Sequence, residues 1–284
     1  MFKKILVSED LSCFGQVSLT TAIPLLSASG LNVSVLPTAL LSTHTGGFGN
    51  NTYLDLSLEM TRIIRHWHEL NLSFDAIYLG YLGIKSLHQW QKSLSSLKSS
   101  RGLVLLDPVM GDYGQLYQGF DQNYVQEMRS LINQADVLTP NLTEASLLLG
   151  EPQLLFGGVS EAKQAASKLQ ARFHSTAVII TGIPASNKQI AVVGQERNKK
   201  HPWLAIRPSS STNFFGTGDL FAAGLLSGLL NECSPENAAN ASMDLIKNAI
   251  SQRSTRTDRR VGLNYSAALP HFLQQISQGG YKNA

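Results

Sequence analysis

Several common signposts are missing from this chain of 284 residues. It carries two cysteines, Cys13 and Cys233, so neither a disulfide framework nor a Cys–x–x–Cys clip is available, and such thiol usage suits a reducing, cytoplasmic setting. No His–x–x–His pair supports zinc. No run approaches ~18 apolar residues, so no membrane span is expected. The apolar stretch in the opening MFKKILVSED is too short for the core of a secretory signal. Charge is sparse at 15% of residues and the net charge is +3, too little to argue for a nucleic-acid partner. There is no GxxxxGK[ST] and no GxGxxG, which excludes a P-loop and a dinucleotide fingerprint as the reason for its glycines. Internal repeats, low-complexity tracts and linkers are absent as well, and a single domain over 1–284 is the simplest expectation.

What is present is apolar sequence in quantity, 43% of residues, enough for one large core. Short β-rich runs alternate with helical patterns. KKILVS (3–8), NVSVLPTALL (32–41), DAIYLGYL (75–82), GLVLLDPV (102–109), DVLTPN (136–141), TAVIITG (176–182) and QIAVVG (189–194) read as strands. Several are apolar throughout, as strands buried on both faces are. VSLTTAIPLLSAS (17–29) reads as a helix closed by Gly30. TYLDLSLEMTRIIRHWHEL (52–70) sets Leu56, Met60, Ile63, Ile64 and Trp67 along one helical face. Further helices fit at 85–98, 121–134, 159–173, 217–231 and 235–251, with a last one near 265–277. This alternation predicts a mostly parallel α/β sheet with helices on both faces. Ligands in such sheets bind beyond the carboxyl ends of the strands. Polar groups collect there: Ser8 and Asp10, His44 and Thr45, Tyr81, Asp107 and Asp112, Asn141 and Glu144, Thr181 and Gly182.

Four stretches carry chemistry. NFFGTGDLFAAGLLSGLL (213–230) places Gly216, Thr217 and Gly218 at the mouth of an apolar helix, where unshielded amides and the positive helix end attract an anion. Asp219, set beside that cradle, is either a first-turn cap or a base. LLDPVMGDYGQLY (105–117) offers Asp107 and Asp112, two carboxylates able to hold Mg²⁺ through waters, or turn formers in a glycine-containing loop. In LTPNLTEASLLLGE (138–151), Asn141 and Glu144 have the spacing of a capping box, a role that leaves Glu144 free to hold a metal-bound water as well. LSTHTGGFGN (41–50) supplies His44, Thr45 and Gly46 in a loop suited to a small polar aromatic ligand. The basic cluster Arg253, Arg256, Arg259 and Arg260 is either a solvated surface or a rim that attracts a polyanionic nucleotide.

With GTGD, DPVMGDYGQLY, TPNLTEA, THTGGFG and LGYLG (79–83) in this order, the chain resembles the pyridoxal/pyridoxamine kinases of the ribokinase-like superfamily over nearly its whole length. The resemblance implies a ribokinase-like three-layer α/β/α sandwich with a mostly parallel central sheet. It also implies ATP-dependent phosphorylation of the 5′-hydroxymethyl group of pyridoxal, pyridoxamine or pyridoxine by a homodimer with Mg²⁺. By position, Asp219 becomes the base, and Gly216, Thr217 and Gly218 the anion hole. Asp107, Asp112 and Glu144 lie around Mg²⁺ and the phosphates. Thr139, Asn141, Thr181 and Gly182 lie at ATP, and His44, Thr45, Gly46 and Tyr81 at the pyridine ring. The family's ring-contacting serine falls at Asp10 when counted from Gly15, with Ser8 as the alternative register, and an aspartate there favours a cationic ligand. Two other readings stand beside this one. Hydroxymethylpyrimidine kinases share the fold and the TPN element but typically carry cysteine at the position of Asp219. A catalytically idle relative that sequesters B6 vitamers is the other, against which the intact Asp219 and glycine cradle argue.

Overall fold

The computed structural model describes residues 3–210, 214–252 and 258–277. In chain order its elements begin with β1 (Lys4–Ser8), β2 (Leu11–Ser12), α1 (Leu19–Ala28), β3 (Asn32–Val35), β4 (Ala39–Leu41), β5 (Tyr53–Asp55) and α2 (Ser57–Glu69). Next come β6 (Phe74–Leu79), α3 (Ile84–Leu97), β7 (Lys98–Leu106), the short pair β8 (Gly111–Asp112) and β9 (Gln115–Leu116), α4 (Gln122–Ile132), β10 (Val137–Leu138) and α5 (Leu142–Leu149). The chain continues through α6 (Val159–Phe173), β11 (Ala177–Ala185), β12 (Gln189–Glu196), β13 (Trp203–Pro208), α7 (Thr217–Leu230), α8 (Pro235–Ser251) and α9 (Leu269–Ser277).

Eight strands form one sheet in the order β13-β12-β11-β10-β7-β6-β1-β3. The six from β3 to β11 run parallel; β12 pairs antiparallel with both β11 and β13. Parallel neighbours need crossovers, and the helices that make them cover both faces. One face packs against α2 to α6 around Trp90, Met60 and Met128. The other packs against α1, α7, α8 and α9 around Leu25, Phe221 and Phe272. This is the three-layer α/β/α arrangement.

Local chemistry fixes the ends of these elements. Asn141 caps α5 with a complete capping box to Glu144, and Gly150 closes the helix in the left-handed conformation. Ser234 caps α8 ahead of Pro235, whose missing N–H costs nothing at a helix start. α7 is apolar on nearly every side because it lies under the sheet and against α1 and α8.

Four departures from the sequence reading have physical causes. The run 32–41 divides at Pro37, which has no N–H to give a ladder; β3 joins the large sheet, and β4 joins β2 and β5 in a separate three-stranded one. The stretch from 52 begins with strand β5 and becomes helical only at Ser57, where the Asp55 carboxylate accepts the Ser57 N–H at 2.8 Å. β11 runs on to Ala185 through a bulge between Ile180 and Ile183, so Thr181 and Gly182 lie within the strand, Gly182 at φ 69°. The edge strand β13 was not anticipated, because HPWLAIRP is broken by two prolines and mixes polar with apolar residues.

α7 and α8 approach closely because Gly228 lacks a side chain. A Cβ there would come 2.6 Å from the Cβ of Ala238. Gly228→Ala gains helix propensity of about 1 kcal/mol but overpacks this contact at a cost of about 1–3 kcal/mol. The expected result is a lower urea midpoint, read by circular dichroism.

Candidate active site

α7 begins where Gly216 turns through φ 75°, a conformation that suits glycine. A Cβ there would also press on the backbone carbonyl of Gln16 at 2.6 Å. The first intrahelical bond runs from the Leu220 N–H to the Gly216 carbonyl at 3.0 Å, so the amides of Thr217, Gly218 and Asp219 precede the ladder. A Cβ on Gly218 would lie 3.9 Å from Asp107 Oδ2, which sets this mouth beside the end of β7. Asp219 does not cap its own helix. Its Oδ2 accepts the backbone N–H of Ser18 at 2.7 Å, at the start of α1.

Ser18, which sequence reasoning passed over, joins two carboxylates. Its hydroxyl donates to Asp10 Oδ1 at 2.6 Å, and the Ser12 hydroxyl donates to Asp10 Oδ2 at 2.8 Å. Ser18 sits at φ 46°, ψ −130°, a conformation that costs a non-glycine residue about 1–3 kcal/mol. Such strain and an unremarkable serine leave no trace in a single sequence. Of the two registers, Asp10 is the one linked through Ser18 to Asp219. The Ser8 hydroxyl is fully buried, donating to the Leu36 carbonyl at 2.7 Å and accepting the Trp90 Nε1 proton at 2.9 Å, so it is spent on packing α3 against β1.

The loop after β4 carries His44, Thr45 and Gly46. The Gly46 N–H donates to His44 Nδ1 at 3.0 Å, so Nε2 carries the ring proton and donates to the Arg260 carbonyl at 2.6 Å. Phe215 lies 4.7 Å from the imidazole, centre to centre, and occupies the space a side chain on Gly46 would need. The Arg260 guanidinium stands over Phe48 at 4.9 Å and donates to the Gly47 carbonyl at 3.2 Å, while Asp258 holds its other edge at 2.7 Å. Arg260 is therefore a brace for this loop; Arg253 and Arg256 lie outside the described residues. Thr45 is exposed. Tyr81 follows β6 and stacks on Phe120 at 5.6 Å.

On the other side, Asp107 is nearly buried at the end of β7, with Thr139 past β10 beside it. Glu144 accepts the Met110 N–H at 3.0 Å on one oxygen and the Asn141 N–H at 2.9 Å on the other. Asn141 also donates to the Gly111 carbonyl at 2.9 Å, fastening α5 to the β8 turn. Asp112 is half-buried and accepts the Tyr113 N–H at 2.8 Å. Thr181 bridges to Asn141 across the sheet edge.

These acids raise one another. Burial lifts Asp219 to about 6, against the Ser18 N–H that lowers it. Burial, and then the charge of Asp219, hold Asp107 well above the usual carboxylate range. Burial and the charge of Asp107 do the same to Glu144. Burial also raises Asp10 and Asp112. Among the described residues no Lys or Arg side chain pairs with any of the five. No three acidic, histidine or cysteine side chains of the described residues converge to ligate one ion directly. All-oxygen carboxylates set apart in this way suit a hydrated Mg²⁺ held through its waters.

A helix mouth with unpaired amides, facing a row of uncompensated carboxylates, has the features that phosphoryl transfer calls for. Residues 57–264 match the phosphomethylpyrimidine kinase family. The structure of pyridoxal kinase from Lactobacillus plantarum is 33% identical, with 99% of this chain and 100% of that one covered at a TM-score of 0.88. A candidate phosphomethylpyrimidine kinase from Bacteroides thetaiotaomicron, crystallised with pyridoxal, is 34% identical, with 100% and 98% covered at a TM-score of 0.89. The pyridoxine/pyridoxal/pyridoxamine kinase of Bordetella avium is 29% identical over 257 residues, 84% of this chain and 81% of that protein. The chain belongs to the phosphomethylpyrimidine kinase family, in the pyridoxal kinase group of the ribokinase-like superfamily.

The raised value of Asp219 has a measurable consequence for stability. An acid whose folded value of about 6 exceeds its unfolded value binds its proton more tightly in the native state. Its favourable contribution is complete below about pH 4 and is lost as pH rises through about 6. Asp219→Asn keeps an acceptor for the Ser18 N–H and removes the buried charge. Its melting temperature is expected to exceed wild type by several degrees at pH 8, with the difference vanishing near pH 4, as scanning calorimetry of the ligand-free proteins would read.

Proposed function

We propose that this chain transfers the γ-phosphoryl group of ATP to the 5′-hydroxymethyl group of pyridoxal, pyridoxamine or pyridoxine. The observation that carries the reading is the orientation of Asp219. Its carboxylate leaves its own helix uncapped, is steadied by one N–H from α1, and lies beside the free amides of the α7 mouth. A carboxylate so placed accepts the hydroxyl proton as the new bond to phosphorus forms. The amides of Gly216, Thr217 and Gly218 stabilise charge on the transferring phosphoryl oxygens. Asp107, Asp112 and Glu144 hold Mg²⁺ through its waters. When bound, the ion neutralises phosphate charge that the protein's own side chains would otherwise repel. Thr139, Asn141, Thr181 and Gly182 line the nucleotide side.

His44, Thr45, Gly46 and Tyr81 enclose the pyridine ring, and Asp10 meets its cationic face. The described helices include none long and apolar enough to cross a membrane, and two cysteines not joined in a disulfide fit a cytoplasmic enzyme. The homodimer that the family resemblance implies has a surface suited to it in the small sheet, where Leu40, Tyr53 and Leu54 are open.

Phosphorylation of hydroxymethylpyrimidine is the second reading, favoured by the description of the matching family. Purified protein with Mg²⁺ and ATP is expected to release ADP with a B6 vitamer and to form its 5′-phosphate. Turnover with hydroxymethylpyrimidine alone would overturn the assignment. Asp219→Asn is expected to bind both substrates and lose 10²–10⁴-fold, on the order of general-base removal, in turnover.

Glu144 supplies a separate test. Glu144→Gln keeps most of a capping contribution of about 1 kcal/mol while removing a charge from the metal side. The Mg²⁺ concentration for half-maximal rate is expected to rise severalfold with little change in melting temperature. An unchanged Mg²⁺ requirement with a lowered melting temperature would reduce Glu144 to a cap.

A further inference from the structure

Glu9 is the one acid of this region that no part of the reading above uses. It follows β1 and continues the face of Ile5 and Val7, which pack in the helix layer with Phe221 and Leu225 of α7. Its backbone is regular: the Glu9 carbonyl accepts the Thr38 N–H at 3.0 Å, and the Ser8 carbonyl accepts the Gly80 N–H at 3.1 Å. Its side chain is completely buried over Gly80, in space that any Cβ at position 80 would take. Among the described residues no group hydrogen-bonds either carboxyl oxygen, and none pairs with it as a cation.

The titratable groups facing Glu9 are Asp219 from α7, Asp10 past β1, Asp107 past β7 and the Tyr78 hydroxyl from β6. Three are acids, and the tyrosine is fully buried with no partner for its hydroxyl among the described residues. An ionised carboxylate in that setting has neither solvent nor counter-charge, and protonation is far cheaper than keeping the charge. We propose that Glu9 works as a buried neutral carboxylic acid, a positioning residue that keeps charge out of the floor beneath Asp219 so that the ionised, proton-accepting carboxylate is the one at the helix mouth. Burial first, and then repulsion by Asp219, hold Glu9 well above the usual carboxylate range, in agreement with this geometry. Glu9 and Tyr78 then form a polar but uncharged floor, whose dipoles soften the desolvation of Asp219.

The proposal rests on the kinase reading, and its test separates the two. Glu9→Gln reproduces a neutral acid in shape and polarity; Glu9→Leu keeps the volume and removes the dipole. The acid limb of the kcat–pH profile, set by Asp219, is expected to stay in place in Glu9→Gln. In Glu9→Leu it is expected to move up by about one pH unit, as added desolvation requires. A shift to lower pH in Glu9→Gln would mean that a negative charge had been removed, and would overturn the proposal. So would identical profiles for the two variants. An infrared difference spectrum of ligand-free wild type against Glu9→Gln needs no turnover: the carbonyl band of a protonated buried acid is expected to disappear, and its absence from wild type would equally overturn the proposal. Absence of vitamer turnover in wild type would defeat the functional reading and leave the infrared result to judge Glu9.

Discussion

One backbone amide, that of Ser18, holds the candidate site in register. It fixes Asp219 to the start of α1, and its side chain fixes Asp10 to the same point. The two acids lie about two hundred residues apart in sequence, Asp10 between β1 and β2 and Asp219 on α7, which packs against α1 over the sheet. Because Ser18 adopts a strained conformation to reach both, part of the favourable energy of the α1–α7 packing is stored at this junction.

The second constraint is charge. Asp10, Asp107, Glu144, Asp219 and Glu9 are gathered at one edge with no basic side chain among the described residues paired to any of them. A folded protein tolerates this only by protonating some of them or by recruiting cations. The backbone shares the burden: Asp219 takes an amide from Ser18, and Glu144 takes amides from Met110 and Asn141. The same amides orient the acids, so electrostatic relief and geometric precision have a common source.

Much of this was legible in the residues. The continuous apolar runs of β1, β6 and β7 announce strands covered on both sides, and the spacing of Asn141 and Glu144 announces a capping box that the structure forms in full. GTGD announces a helix start, and α7 begins there, at Thr217. Other features were hidden for identifiable reasons. Ser8 and Asp10 are two residues apart at a strand end, and only the partners supplied by Leu36 and Trp90 reveal which is consumed by the core. Thr181 and Gly182 looked like a strand terminus because a bulge and a strand end share the same glycine signal. Glu9 was invisible because a lone glutamate after a strand is ordinarily solvated. Its burial depends on the absence of a side chain at Gly80, far away in sequence.

The brace on the His44 loop bears on the order in which the molecule is assembled. His44 and Gly47 reach across to Arg260, and Gln16 reaches across to Val261, spans of more than two hundred residues. On a ribosome that releases the amino-terminal portion first, β1, β3 and β6 can pair while 258–262 is still unsynthesised. The loop after β4 therefore waits, with its anchoring residues unborn, until nearly all of the chain has emerged. The last strand of the large sheet, β13, ends at Pro208, whereas the loop after β4 is fastened only by residues about fifty positions further on, so the frame of the molecule is complete in sequence before its latch is.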